Sequence, residues 1–178
     1  MRRQFDSLAP RWDTMRDPAH LASHERALEA IQGSPAHILD LGTGTGAAAL
    51  AAARRFPEAE VVGADLSKEM LAEARRKTPP ELAGRVRFKQ ADGARLPYQD
   101  GAFELVTLAN MIPFFDELAR VTAPRGWALF SFSVGPETPI WLPPERLRAE
   151  LSRRGFSEFA DFQAGTGTAL LARRREPV

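Results

Sequence analysis

The residues of this 178-residue chain best equipped for chemistry are three aspartates and a run of glycines. Asp40 lies in the string ILDLGTGTG at 38–46, two residues ahead of Gly42, with Thr43, Gly44 and Gly46 following. An apolar run, a glycine-rich turn and the alanine-rich segment 47–53 describe strand, turn and helix, the first half of a βαβ unit. Such a turn lets backbone approach a ligand closely, and the helix start adds N–H groups without intrahelical partners. Residues 42–47 also fit the G-x-G-x-x-A string of dinucleotide sites, in which Asp65 would hold a ribose hydroxyl. Asp40 weighs against a pyrophosphate. Its carboxylate, at the end of the first strand, faces the same crevice, and two like charges a few ångströms apart there cost on the order of several kcal/mol. A cationic ligand gains a comparable amount.

Asp65 and Asp92 fall at or just after the ends of the second and third strands, where open α/β sheets bind ligands. S-adenosylmethionine offers a matching set of groups: an ammonium, a ribose diol, an adenine amino group and a sulfonium, with a carboxylate for the N–H groups of the turn. Aspartates at strand ends also serve as caps and turn residues. The joint position of all three beside the glycine turn separates the two readings. A second GTGT, at 165–168, is the control: it precedes a strand, no acid stands two residues before it, and it reads as a turn.

The elements that must hold these groups alternate along the chain. A helix is expected over 18–31, with Leu21, Leu28 and Ile31 on its apolar side. Strands are expected over 36–41, 60–64, 85–90, 103–108 and 127–133, with helices over 46–56, 67–77 and 113–122 between them. A proline-rich loop at 135–144, a helix at 145–154 and a strand pair at 156–162 and 169–172 complete the chain. This alternation predicts an α/β, doubly wound, mostly parallel sheet with right-handed crossovers. With no helix between them, the last two strands should be antiparallel neighbours at a sheet edge. One domain is expected: an N-terminal helical segment or lid over 1–35, a cofactor-binding core over 36–134, and a C-terminal helix with the edge strand pair over 135–178.

His20 and His24, four apart, share a helix face at the spacing of a metal pair. No residue pattern supplies a third ligand, exposed histidines are ordinary, and no metal is expected. There is no cysteine, which removes disulfide, thiolate and cysteine–metal chemistry together. The formal net charge is +1. The basic pairs Arg2–Arg3, Arg54–Arg55, Arg75–Arg76 and Arg153–Arg154 are spread over different elements, so a nucleic-acid stripe is not expected. No apolar stretch is long enough to span a bilayer, and a cytoplasmic protein is expected.

Four further segments carry a resemblance. VVGADLSKEML at 61–71, ADGARLPY at 91–98, FELVTLAN at 103–110 and ELARVTAPRGWALFSF at 117–132 resemble motifs of the class I S-adenosylmethionine-dependent methyltransferases. The opening FDSLAPRWD at 5–13 is similar to the lead-in of the ubiquinone/menaquinone C-methyltransferase-like subgroup. The resemblance implies a Rossmann-like, seven-stranded sheet of order 3-2-1-4-5-7-6 with strand 7 antiparallel, and methyl transfer to a small-molecule acceptor. It also implies that Asp40 with Gly42, Thr43, Gly44 and Gly46 meets the methionine end of the cofactor, and Asp65 the ribose. Leu66 and Met70 would meet the adenine face, Asp92 and Gly93 the adenine edge, and Asn110 would sit by the sulfonium.

The segment after strand four departs from the family pattern. From Asn110 to Phe115 it holds no histidine, lysine or acid, so no catalytic residue is named. It also lacks the N-P-P-aromatic order of nucleic-acid amino-methylating enzymes. Trp12, Met111, Ile112, Phe114 and Trp141 are the candidates for an apolar substrate pocket. Two other readings stay open at this point: an NAD(P)-dependent Rossmann oxidoreductase, and a non-catalytic S-adenosylmethionine-binding regulatory protein.

Overall fold

A computed structural model describes Asp17 and residues 19–176. In chain order its elements are α1 (Ala22–Ala30), β1 (His37–Leu41), α2 (Ala47–Arg55), β2 (Glu60–Asp65), α3 (Lys68–Lys77), β3 (Val86–Gln90), β4 (Phe103–Ala109), α4 (Phe115–Val121), β5 (Thr122–Phe132), α5 (Pro144–Ser152), β6 (Phe156–Ala164) and β7 (Gly167–Arg174). The strands make one sheet of order β3-β2-β1-β4-β5-β7-β6. Pairing is parallel among β1 to β5 and antiparallel where β7 meets β5 and β6. This is the order and polarity that the sequence motifs imply.

The near-continuous apolar strands are buried on both faces, as a central parallel sheet requires. Ile38, Val61, Leu105, Leu129 and Leu171 pack on one face under α1, α2 and α3. Leu39, Leu41, Val106, Leu108 and Phe130 pack on the other under α4 and α5. Helix α2 is almost all alanine, and Ala48, Ala49, Ala52 and Ala53 are buried, which lets its axis lie close to the sheet and brings its first turn down onto the end of β1.

Several boundaries differ from the sequence expectation, each for a local reason. Strand β5 begins at Thr122, and residues 124–126 form an irregularity inside it rather than a turn before it. The β4–β5 register slips between Phe103 and Leu105, and Arg125 takes a left-handed φ of 61°. In the β6–β7 hairpin Ala164 pairs with Gly167, so the loop is only Gly165 and Thr166, with Gly165 supplying the positive φ. Helix α1 buries Leu28 and Ile31 as expected, but it also buries Ser23 and His24 completely. His24 is therefore not an exposed surface histidine. Trp12 and the opening FDSLAPRWD lie outside the described residues, as does nearly half of the expected lid. Among the described residues no helix is long and apolar enough to cross a membrane.

Candidate functional site

The C-terminal ends of β1 and β2 are joined by the glycine turn. Gly42, Gly44 and Gly46 have φ of 66°, 53° and 88°. Three left-handed residues within five positions explain why the string is glycine-rich. The turn is closed by its own hydrogen bonds. The N–H groups of Gly42 and Thr43 both donate to Ala64 O, that of Gly46 to Thr43 O, and that of Gly44 to Asp65 Oδ2 at 2.9 Å. The N–H groups of Gly42, Thr43, Gly44 and Gly46 are thus already bonded within the protein. What the turn leaves open is its surface. A Cβ at Gly44 would meet nothing within 4 Å, whereas one at Gly42 would lie 2.5 Å from Met111 Sδ and one at Gly46 2.9 Å from Phe88 Cζ. Gly42→Ala is expected to destabilise the fold by about 1–2 kcal/mol from the left-handed backbone alone. It should also displace the flexible Met111 side chain, and chemical denaturation together with cofactor-binding calorimetry would read both effects.

Asp40 is enclosed, at 1% exposure. Its Oδ2 accepts from Thr43 Oγ1 at 2.6 Å and its Oδ1 from Thr107 Oγ1 at 2.7 Å, with the Ala49 N–H adding a further bond. The carboxylate therefore ties the glycine turn, the start of α2 and strand β4 together. Burial pushes its pKa up to about 6 against these hydrogen bonds, and the charge of Asp65 pushes the same way.

Asp65 ends β2, partly buried, with Oδ1 accepting from Ser67 N and Oδ2 from Gly44 N, both at 2.9 Å. A carboxylate oxygen has two acceptor sites, so each keeps capacity for a further donor. Ser67 also caps α3 by accepting from Met70 N at 3.2 Å. Leu66, next to Asp65, is exposed, while Met70 is 2% exposed and packs into the core. Asp92 is exposed and accepts from Ala94 N at 2.9 Å. Gly93 is covered by Phe114, whose Cδ2 would lie 2.9 Å from a Cβ placed there. Met111 on Gly42 and Phe114 on Gly93 show that the segment after β4 folds back over the ends of β1 and β3.

Asn110 takes a left-handed φ of 53°. Its N–H donates to Ser131 O, and its Oδ1 accepts from Ser133 N at 2.9 Å and Ser133 Oγ at 3.1 Å. The side chain clamps the end of β4 to the end of β5. Ile112 is exposed beside it. Trp141 lines an apolar hollow with Phe132, Leu142, Leu147 and Leu170 that includes none of the glycine-turn residues.

Among the described residues the exposed large hydrophobic side chains are Leu66, Ile112 and Val134, at 47%, 46% and 41%. They follow the C-terminal ends of β2, β4 and β5, on the one edge of the sheet that carries the aspartates. Val134 was not foreseen from sequence, and neither were Thr107, Ser131 and the buried state of His24. The available signal was a single hydroxyl residue inside an apolar run, Thr107 in LVTLA and Ser131 in WALFSF, each of which must find a polar partner when buried.

Known proteins bear on this geometry. A family described as a methyltransferase domain matches residues 38–126, half of the chain. The demethylmenaquinone methyltransferase of Thermus thermophilus is 45% identical over 135 residues, covering 68% of this chain and 60% of that protein. The malonyl-[acyl-carrier protein] O-methyltransferase of Halorhodospira halophila is 38% identical over 149 residues, covering 78% and 49%. The chain thus spans only about half to three-fifths of the length of these curated relatives. A chain in the solved complex of the Haloferax volcanii Trm112 methyltransferase activator with a methyltransferase shares the fold at a TM-score of 0.81 and 20% identity, over 99% of this chain and 98% of that one.

Proposed function

The chain belongs to the class I S-adenosylmethionine-dependent methyltransferases, and on that basis we propose that it transfers a methyl group from S-adenosylmethionine to a small, largely apolar acceptor. The observation that carries the reading is the apolar rim. Leu66, Ile112 and Val134 stand exposed just past the C-terminal ends of β2, β4 and β5, the sheet edge that also carries Asp65 and the open Gly44. Exposed apolar side chains gathered on one edge mark a surface that a ligand covers.

Bound S-adenosylmethionine supplies a methyl group on a positively charged sulfur, which is a good leaving group. This chain's residues then have to bind, align and desolvate. Asp65 offers its remaining acceptor capacity to the ribose hydroxyls, Leu66 covers the adenine face, and Asp92 with Gly93 flanks the adenine edge. Met70, buried on the first turn of α3, completes the adenine side. Asp40 holds the turn and sets negative charge beneath a cationic ligand. Asn110 fixes the ends of β4 and β5, so that Met111, Ile112 and Phe114 keep water from the reacting end. No base is assigned, because an acceptor that is already nucleophilic needs none.

A nucleic-acid acceptor is not proposed. Among the described basic pairs, Arg76 bonds Glu73, Arg153 bonds Glu150, and Arg154 bonds Asp116 and Glu150, so three of these six arginines are held by carboxylates, and the pairs lie at the ends of different helices. Calorimetry with S-adenosylhomocysteine tests the cofactor half of the reading, and no heat of binding at millimolar ligand overturns it. Incubation with methyl-labelled donor and either a solvent extract of cell lipids and small molecules or total RNA tests the acceptor half. Label is expected in the extract; label confined to RNA sinks the apolar acceptor.

A further inference from the structure

Beyond the binding groups assigned so far, one buried side chain has an unused hydrogen-bonding atom at the site. His24, on the first turns of α1, is 0% exposed, and its Nδ1 lies 2.8 Å from Ser131 Oγ. Its Nε2 is buried without a partner among the described residues. An unmet buried polar atom costs about 1–3 kcal/mol, which a ligand that bonded to it would offset.

The tautomer follows from counting partners. The Ser131 hydroxyl has no other partner among the described residues. Were Nδ1 the donor, both the serine proton and the Nε2 lone pair would be left unmet. If the hydroxyl donates to Nδ1, only an Nε2–H remains. Burial holds the ring neutral, drawing its pKa down to about 4, so the tautomer is the state present at neutral pH. His24 therefore presents one buried N–H donor.

Its neighbourhood is the methionine end of the crevice. Ser131 pairs with Ala109, the residue before Asn110, and Leu41 pairs with Leu108, so Gly42 and Ser131 share a row with one strand between them, about 10 Å apart. Thr107, which holds Asp40, and Ser131, which holds His24, lie on the same face of the sheet as α2. The N–H groups of Gly42, Thr43, Gly44, Gly46 and Ala49 are all taken within the protein. None of these five is free for the cofactor's anionic carboxylate, which gains from a further donor at the β5 side of the site.

We propose that His24 is a positioning residue whose Nε2–H donates to the α-carboxylate of S-adenosylmethionine, drawing the methionine end toward β5 and away from Asp40. The inference rests on the cofactor reading above. His24→Asn and His24→Gln separate its two bonds: the asparagine amide reaches the position of Nδ1 and keeps Ser131, while the glutamine amide reaches the position of Nε2 and keeps the ligand.

Calorimetry uses two probes, S-adenosylhomocysteine and its decarboxylated analogue, which retains the ammonium. The wild-type chain is expected to prefer S-adenosylhomocysteine. His24→Asn should lose that preference, with affinity for S-adenosylhomocysteine down at least tenfold and affinity for the analogue unchanged. His24→Gln should recover most of the preference while melting at a lower temperature. An asparagine variant that keeps the wild-type preference overturns the proposal while leaving the cofactor reading intact, and so does an equal loss for both probes. Should the asparagine variant not fold, a glutamine variant without the preference overturns it instead. Failure of the wild-type chain to bind either probe overturns the cofactor reading and the proposal together.

Discussion

Asp65→Ala should weaken S-adenosylhomocysteine binding by at least ~100-fold, the largest loss expected from any single side chain in the crevice. Each carboxylate oxygen already accepts one backbone N–H, from Ser67 and from Gly44, and has capacity for one more donor. Hydrogen bonds to a charged group are each worth about 1.5–3 kcal/mol, so losing two ribose hydroxyls amounts to roughly 3–6 kcal/mol. That is on the order of a 10²- to 10⁴-fold change in dissociation constant. The same substitution frees the Gly44 N–H and loosens the turn, an indirect route to weaker binding. A ligand lacking the ribose 2′-hydroxyl separates the two. The wild-type chain should bind this ligand more weakly than S-adenosylhomocysteine, and the alanine variant should not distinguish them. A variant that still distinguishes them by the full wild-type ratio has lost only the turn, and the ribose assignment fails.

The doubly wound, mostly parallel sheet was legible because alternating strands and helices leave few ways to wind a sheet, while its strand order came only with the family resemblance. Asp40, Asp65 and Asp92 were legible because a position relative to a strand end is a one-dimensional quantity. The internal hydrogen bonds of the turn were not. G-T-G-T-G states that the backbone can be left-handed at three positions, but not that the resulting N–H groups aim at Ala64 and Asp65 rather than outward. Met70 shows the same limit. Helical spacing puts it on the inner side of α3, and only packing shows that it is 2% exposed there. His24 was the most misleading, because an i, i+4 histidine pair on a polar helix is ordinary surface unless a serine 107 residues later receives one of them. Such long-range pairing has no local sequence signature.

Replacing Asp40 with asparagine should make the fold more stable and the site worse. The unfolded-state pKa is near 3.8 and the folded-state value about 6. Below pH 4 the group is protonated in both states. Between about 4 and 6 the folded chain holds a proton that the unfolded chain has released, so stability falls as pH rises. Above 6 the deficit is constant, on the order of 3 kcal/mol. An asparagine is never ionised, so Asp40→Asn should melt several degrees higher at pH 8 and about equally at pH 4. His24 acts in the opposite sense. Its pKa drops from 6.5 unfolded to about 4 folded, so the stability it contributes above pH 6.5 is lost as pH falls through that interval. In the wild-type chain the two slopes oppose each other between pH 4 and 6. In Asp40→Asn the histidine slope stands alone, and stability should climb with pH across that range. Thermal midpoints measured at half-unit pH steps test this, and an asparagine variant that melts lower at pH 8 would show that the threonine hydroxyls and the Ala49 N–H fully compensate the buried charge. The retained cost has a use if the charge acts on the ligand. S-adenosylmethionine carries a positive sulfur that S-adenosylhomocysteine lacks, so the ratio of their affinities reports the field at the reacting end. That ratio should fall in Asp40→Asn even as the fold gains stability, because the ionised carboxylate that strains the apo protein is what favours a cation above it.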